Sequence, residues 1–272
     1  NSINFVIPMS DEESLSIYKR LDLFNRYNIQ ILSNTINLPL TQVKTKVYDY
    51  LGKNGVVTPK YFCQNDLKEL MSNLELLGFP NSDVVIKPKI GRGSRGFRIV
   101  RDNYNKFEQY MTKFEEQVYI SLDELKMVFD NSEKIQSIFI MEFLSGYQYS
   151  VEIYAENGEI IGCIPQRRIG YKWGKLDKVV FEYNKEVIKE AKKIVKLFGF
   201  NGLLNIEFAL NNENHAKLIE INSRATPNTS QTRYSGLNLY ELAIKKSLKI
   251  SIEVPKNLEV KKLLTFEEDL VI

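Results

Sequence analysis

A single histidine, His215, and only two cysteines, Cys63 and Cys163, occur in 272 residues. Zinc sites and dithiol redox centres need such ligands clustered at short spacings, so neither chemistry is expected. Sparse cysteine also suits a reducing compartment, and a cytoplasmic location is expected. No apolar run approaches the roughly 20 residues that cross a bilayer, so no membrane association is expected. Nor does one sign of charge dominate: 37 Lys and Arg stand against 34 Asp and Glu, a net +3. The clustered basic stripe of a nucleic-acid binder is missing. Residues 1–5 lack the basic flank of a signal peptide and an initiator methionine, so a trimmed chain or a fragment is expected. Internal repeats and low-complexity tracts are absent.

What remains is ordinary for a soluble globular protein, with 43% hydrophobic and 26% charged residues. The length suits one large domain or two to three small subdomains. Residues 3–8 read as a short buried strand, 11–27 as a helix with Leu15, Tyr18, Leu21, Leu23 and Phe24 on one face, and 29–32 as a second strand. A helix over 41–53 follows, with Val43, Val47, Tyr50 and Leu51 at helical spacing and Gly55 just past its end. The segment 103–137 reads as polar and helical, and strands are expected at 138–143, 149–154 and 160–165. A polar loop is expected over 166–178. Residues 184–198 are strongly amphipathic, with Val187, Ile188, Ala191, Ile194, Val195 and Phe198 on one side. Strands over 204–210 and 216–221 flank the turn-prone NNEN, and a last helix covers 238–248. The class is α+β with antiparallel sheets, preceded by a small α/β piece.

Gly91-Arg92-Gly93-Ser94-Arg95-Gly96 matches G-x-G-x-x-G, a weak signal alone. A dinucleotide site needs the loop to run from a strand into a helix. Here VVIKP precedes it and the β-type FRIV follows, so a Rossmann site is excluded. A protein kinase places its lysine after the loop and carries H-R-D and D-F-G, none of which is found. A hairpin remains whose backbone N–H groups can fold over phosphates, with Lys87 on the entering strand to neutralise them. A surface hairpin with a glycine-rich tip explains the loop equally well when it is taken alone.

Strand alternation supplies the second signal. Over 216–221, Leu218, Glu220 and Asn222 are expected on one face and Lys217, Ile219 and Ile221 on the other; Asn205, Glu207 and Ala209 share a face of the preceding strand. With NNEN as the turn, Glu207 and Glu220 become diagonal neighbours, roughly 7–8 Å apart at the backbone. Two carboxylates and an amide oxygen together are costly without a cation, and oxygen-only ligands suit Mg²⁺ shared with phosphates. Arg224, two positions past Asn222, is placed to reach the same phosphates. A solvated sheet edge accounts for Glu207 alone; the four residues in register favour the metal.

These residues resemble the ATP-grasp superfamily, most closely its branch around the large subunit of carbamoyl-phosphate synthase. The resemblance runs through VVIKPKIGRGSRGFRIV, IFIMEFLSGYQYSVEIY and the pair NIEF and LIEINSR. It implies an ATP-grasp fold, two α+β subdomains gripping ATP, after a truncated α/β pre-ATP-grasp segment. The implied division is a remnant at 1–40 and an ATP-grasp domain at 41–272, with a nucleotide lid over about 58–143 and a metal-binding subdomain over about 144–272. By the same resemblance Lys44 and Lys87 are the two basic nucleotide residues, and Gly91, Arg92, Gly93, Ser94, Arg95 and Gly96 form the loop closing on the triphosphate. Glu142, Phe143 and Leu144 are the adenine hinge. Gln148 stands near the usual acidic ribose ligand. Glu207, Glu220 and Asn222 would hold one or two Mg²⁺, with Mn²⁺ as a substitute, and Arg224 with Lys87 would act on the transferred phosphate. Ser223 replaces the usual proline after the asparagine motif.

The implied activity is an ATP- and Mg²⁺-dependent ligase that activates a small carboxylate as an acyl phosphate for an amine or ammonia. Two alternatives stand beside it: a carbamoyl-phosphate-synthase-like fragment or split subunit using bicarbonate or carbamate, and a non-catalytic ATP-binding module. Arg167 or Arg168 in the expected 166–178 loop is a candidate carboxylate or phosphate clamp, although a basic surface loop explains them equally well. Tyr171 and Trp173 line a pocket there or cover apolar surface, the latter being commoner. Small-molecule carboxylate and amine partners are implied, with a homo-oligomer or a partner chain supplying the N-terminal region as further options.

Overall fold

The computed structural model describes residues 3–33, 37–91, 95–111, 118–130, 133–172, 175–255 and 262–264. The chain opens with β1 (Phe5–Val6), α1 (Asp11–Tyr18), α2 (Leu21–Arg26) and β2 (Gln30–Ile31), and β1 and β2 pair in parallel. The single helix expected over 11–27 is therefore two. Ser10 and Glu13 form a capping box that starts α1, and the chain leaves helical geometry at Arg20 (φ −135°, ψ 27°). Then come α3 (Leu38–Thr41) and α4 (Lys44–Lys53), which buries Val47, Tyr48 and Leu51.

A five-stranded sheet follows, built from β3 (Tyr61–Cys63), α5 (Leu67–Leu76), β4 (Val84–Pro88), β5 (Arg98–Val100), α6 (Lys106–Met111), β6 (Tyr119–Ile120), α7 (Leu122–Phe129) and β7 (Ile138–Glu142). Its order is β3-β7-β4-β5-β6. The glycine hairpin joins two antiparallel strands, β4 and β5, as its sequence indicates. Among its described residues, the segment expected to be helical over 103–137 holds α6, α7 and a 3-10 turn at Glu133–Ser137, and between α6 and α7 it holds β6, which pairs in parallel with β5. One face of this sheet, with Val84, Ile86 and Ile140, packs on Leu70, Leu74 and Leu125. The other face, with Val85, Phe139 and Met141, joins the main core.

The second sheet contains β8 (Gln148–Glu156), β9 (Glu159–Lys172), β10 (Lys175–Phe181), β11 (Gly202–Leu210), β12 (Ala216–Asn222) and β13 (Lys262–Leu264), in the order β12-β11-β8-β9-β10-β13. The expected loop at 166–178 belongs largely to the long antiparallel pair β9–β10. Trp173 lies outside the described residues. One face of the sheet is apolar and covered by α8 (Lys185–Phe198), which Asn184 caps and Gly199 ends in the left-handed conformation (φ 63°). The opposite face is apolar only at one end, where Leu203, Tyr154 and Ile164 lie under α9 (Leu239–Ser247). The rest of that face is polar.

Candidate nucleotide and metal site

The polar face reads in cross-strand rows. Glu220, Glu207, Ser150 and Gln166 are successive partners across β12, β11, β8 and β9. The next row is Asn222, Asn205, Glu152 and Ile164. On the other side, Lys217, Ala209 and Gln148 form a row, and Arg168 on β9 donates to Gln148 Oε1 at 3.0 Å. Glu207 and Glu220 are thus direct partners rather than diagonal neighbours. The cause is a β-bulge: the register slips by one between Glu207/Glu220 and Phe208/Leu218, leaving Ile219 as the extra residue. The slip also corrects the expected faces of β12. Leu218 turns to the core with Phe208, and Lys217 joins Glu220 and Asn222 in the cleft. Tyr48 of α4 secures the bulge by donating to the Ile219 carbonyl at 2.8 Å.

Lys44, the first residue of α4, binds Glu220 Oε1 at 3.1 Å and donates to the Gly91 carbonyl at 2.7 Å. One ammonium therefore ties β12 of the large sheet to Gly91, just past β4 of the small one. Lys87 comes from the small-sheet face that joins the main core, beside Phe139. Burial pushes its pKa down to about 8, while the charges of Glu220 and Glu207 act upward and those of Lys44 and Arg168 downward. Lys87 and the two carboxylates thus lie in one cleft. Burial, with Glu207 next to it, raises the pKa of Glu220, and Lys44 and Lys87 oppose that shift. Arg168 Nη2 lies 2.6 Å from Glu207 Oε1. Each cleft carboxylate is paired with a cation, as burying such charges requires.

Glu142 ends β7 and accepts from the Lys60 N–H at 2.7 Å and from Lys217 Nζ at 2.6 Å. With Phe143, Leu144, Ser145, Asn211 and Lys217 it lines a cavity of about 400 Å³. Gly146 closes this corner: its N–H donates to the Leu210 carbonyl at 3.1 Å, and a Cβ there would stand 2.5 Å from that oxygen. Arg95 and Gly96 are described, with Gly96 at φ 74°, whereas Arg92, Gly93 and Ser94 lie outside the described residues.

Two expected residues point elsewhere. Arg167 alternates away from the cleft, bonding Glu182 at 2.9 Å and stacking over Tyr147. Arg168, not Arg167, reaches the site. Arg224 pairs with Asp11 at the start of α1, at 2.8 and 3.4 Å. Two residues escaped the sequence reading. Lys217 was hidden by the bulge, which sequence alternation does not reveal. Glu152 was within reach, since alternation along β8 places it with Gln148 and Ser150. It is fully buried, and burial pushes its carboxyl up to about 7 against hydrogen bonds from Thr229, Thr226 and Ser150.

The donor set fits a hard divalent cation. Among the described residues no three His, Cys, Asp or Glu side chains cluster as a metal site. Glu207, Glu220 and Asn222 offer oxygen alone, and a cation there would complete its shell with phosphate oxygens and water, as Mg²⁺ does.

A family model described as "ATP-grasp in the biosynthetic pathway with Ter operon" matches residues 134–268, just under half of the chain. Among solved structures, the chain is similar to a biotin carboxylase from Campylobacter jejuni in complex with β,γ-ATP (TM-score 0.66, 14% identity), covering 94% of this chain and 57% of that one. It is similar to an N5-carboxyaminoimidazole synthetase from Staphylococcus aureus complexed with ADP (TM-score 0.63, 14% identity), covering 89% and 60%. It is also similar to an L-amino acid ligase from Bacillus licheniformis (TM-score 0.59, 15% identity), covering 92% and 66%. The chain thus spans roughly 60% of the length of the solved relatives it matches. Its two sheets face a charged cleft and these likenesses give the chain an ATP-grasp fold, while residues 134–268 match the ATP-grasp family model.

Proposed function

We propose that the chain is an ATP- and Mg²⁺-dependent ligase that converts a small carboxylate to an acyl phosphate for attack by an amine or ammonia. The observation that carries this reading is the cleft itself. Lys87 and the Lys44–Gly91 contact stand on one side, Glu207, Glu220 and Asn222 on the other, and the Glu142 cavity lies at the end of the same strands. We assign residues 41–272 to one ATP-grasp domain, with a nucleotide lid over about 58–143 and a metal-binding subdomain over about 144–272.

Adenine would occupy the cavity beside Glu142–Leu144, with the ribose toward Gln148 and the triphosphate running toward Lys44 and Lys87 near Gly91. Bound Mg²⁺ would neutralise phosphate charge as it moves to the leaving group. On nucleotide binding, Lys44 and Arg168 exchange carboxylate partners for phosphate or substrate oxygens, so no charge is left buried alone. The substrate carboxylate oxygen bonds to the γ-phosphorus as the bond to the β-phosphate oxygen breaks, releasing ADP. The amine nitrogen then bonds to the acyl carbon, the carbon–oxygen bond to phosphate breaks, and phosphate leaves with the proton from nitrogen. Lys87 and Arg224 steady the transferred group, the latter after exchanging Asp11. Exclusion of water from the cleft would protect the acyl phosphate from hydrolysis.

ADP and phosphate release from Mg·ATP, measured over bicarbonate and a panel of carboxylates with and without amines, tests the reading. Release that needs one carboxylate and one amine supports it. Bicarbonate dependence points to the carbamoyl-phosphate-synthase-like alternative, and tight Mg·ATP binding without any turnover to a binding module.

A further inference from the structure

The row below the two cleft carboxylates consists of Asn222, Asn205 and Glu152, and its hydrogen bonds carry a direction. Glu152 is completely buried. Thr229 Oγ1 donates to its Oε2 at 2.6 Å and Thr226 Oγ1 to its Oε1 at 3.0 Å. Each hydroxyl also accepts one backbone N–H, Asn228 to Thr226 at 3.2 Å and Thr226 to Thr229 at 2.9 Å, which leaves its own hydrogen to point at Glu152. Ser150 Oγ donates to Glu152 as well, at 3.3 Å. Glu152 therefore receives hydrogens from every partner and gives none, the pattern of a carboxylate.

An acceptor-only neighbour forces Asn205 to present its amino group. Asn205 Nδ2 donates to Glu152 Oε1 at 2.6 Å and to Ser150 Oγ at 2.8 Å. Its Oδ1 must then face the other way, where Asn222 Nδ2 donates to it at 3.0 Å. With its amino group turned to Asn205, Asn222 carries its Oδ1 on the opposite side of the amide. An amide is nearly symmetric in shape, so what faces a cation is decided by such partners.

Resting on the ligase reading above, we infer that Glu152 is a positioning residue of the metal site, acting through Asn205 to hold the Asn222 amide oxygen, rather than its NH₂, toward the divalent cation. Polar partners behind a ligand commonly tune metal affinity in this way. The same carboxylate anchors the 3-10 segment Pro227–Ser235 through Thr226 and Thr229, so the segment that follows Arg224 is fixed to the floor of the site.

A charge-relocation experiment tests the direction of the relay. In Asn222→Asp the new carboxylate meets Asn205 Oδ1, and Asn205 cannot turn because Glu152 accepts on its other side. Mg²⁺-linked ADP affinity should fall about tenfold despite the added negative charge. Adding Glu152→Gln lets Gln donate to Asn205 Oδ1 and Asn205 donate to Asp, so the double variant should recover most of the loss. Calorimetric ADP affinity with and without Mg²⁺ and the thermal midpoint are read for each variant. ADP affinity without Mg²⁺ gives each variant its own baseline, from which the Mg²⁺-linked part is taken. Tighter Mg·ADP binding by Asn222→Asp, or no recovery in the folded double variant, overturns the relay. Should either variant not fold, Asn205→Leu cuts the relay with both ends intact; wild-type Mg²⁺-linked affinity in that variant also overturns it. Failure of the wild-type chain to bind Mg·ADP would instead remove the ligase reading.

Discussion

Lys87 offers a quantitative view of nucleotide arrival. Burial holds its pKa at about 8, below the ordinary 10.5, although two carboxylates lie near enough to raise it. A triphosphate or diphosphate placed beside it adds negative charge without adding comparable solvent, so its pKa should return toward 10.5. The sign follows directly. The complex binds more protons than the free protein between pH 8 and 10.5, so binding takes up protons there and affinity weakens as pH rises through that window. Half of the free Lys87 is protonated at pH 8, which gives an uptake of about 0.5 proton per Mg·ADP; the uptake is about 0.1 at pH 7 and about 0.9 at pH 9. Titration calorimetry in buffers of different ionisation enthalpy reads this number as a slope. Lys87→Met should flatten the slope. A wild-type slope of zero at pH 8 to 9, or an unchanged slope in Lys87→Met, refutes the placement of Lys87 at the phosphates. The same shift makes folding stability rise with pH between 8 and 10.5, because there the unfolded chain holds the extra proton.

Glu220→Gln removes a cleft carboxylate and leaves Lys44 unpaired; Mg²⁺-dependent ADP formation should disappear while circular dichroism stays native. Arg168→Met should raise the KM for the carboxylate substrate about tenfold or more, as loss of a charged hydrogen bond does, with ADP affinity changed far less. Tyr48→Phe frees the Ile219 carbonyl at the bulge and should lower stability by about 1 kcal/mol in denaturant unfolding. Gly146→Ala forces a Cβ onto the Leu210 carbonyl; a loss of about 1–3 kcal/mol and weaker ADP binding are expected, and a wild-type melting temperature would contradict the close approach.

Local pattern made part of this architecture legible. The helix at 184–198 carries its own stripe and caps, and Lys185–Phe198 forms as read. The strand–loop–strand at 84–100 is likewise visible, because VVIKP and FRIV are β-type on both sides of a glycine run. Elements made by distant pairing were not. β6 has two residues and takes its strand character from β5, so a polar helical pattern conceals it. The second half of β9 and the start of β10, residues 166–178, are rich in Arg, Lys and Gly and read as loop, yet β9 and β10 pair with each other there. In the candidate site, residue type singled out Glu207, Glu220 and Asn222, but a one-residue bulge decides their register. No periodicity rule places that bulge at Ile219, and with it goes the position of Lys217. Arg167 and Arg168 are equivalent in composition; only the pairing of β9 with β8 sends one to the cleft and the other to Glu182.

The most direct test of the nucleotide and metal site is the anomalous signal of Mn²⁺ in crystals grown with ADP. A Mn²⁺ peak at oxygen-ligand distance, about 2.2 Å, from carboxylate oxygens of Glu207 and Glu220, with adenine beside Glu142, is the expected result. Manganese bound away from these carboxylates, or nucleotide outside the cleft between Lys87 and Glu220, would contradict it.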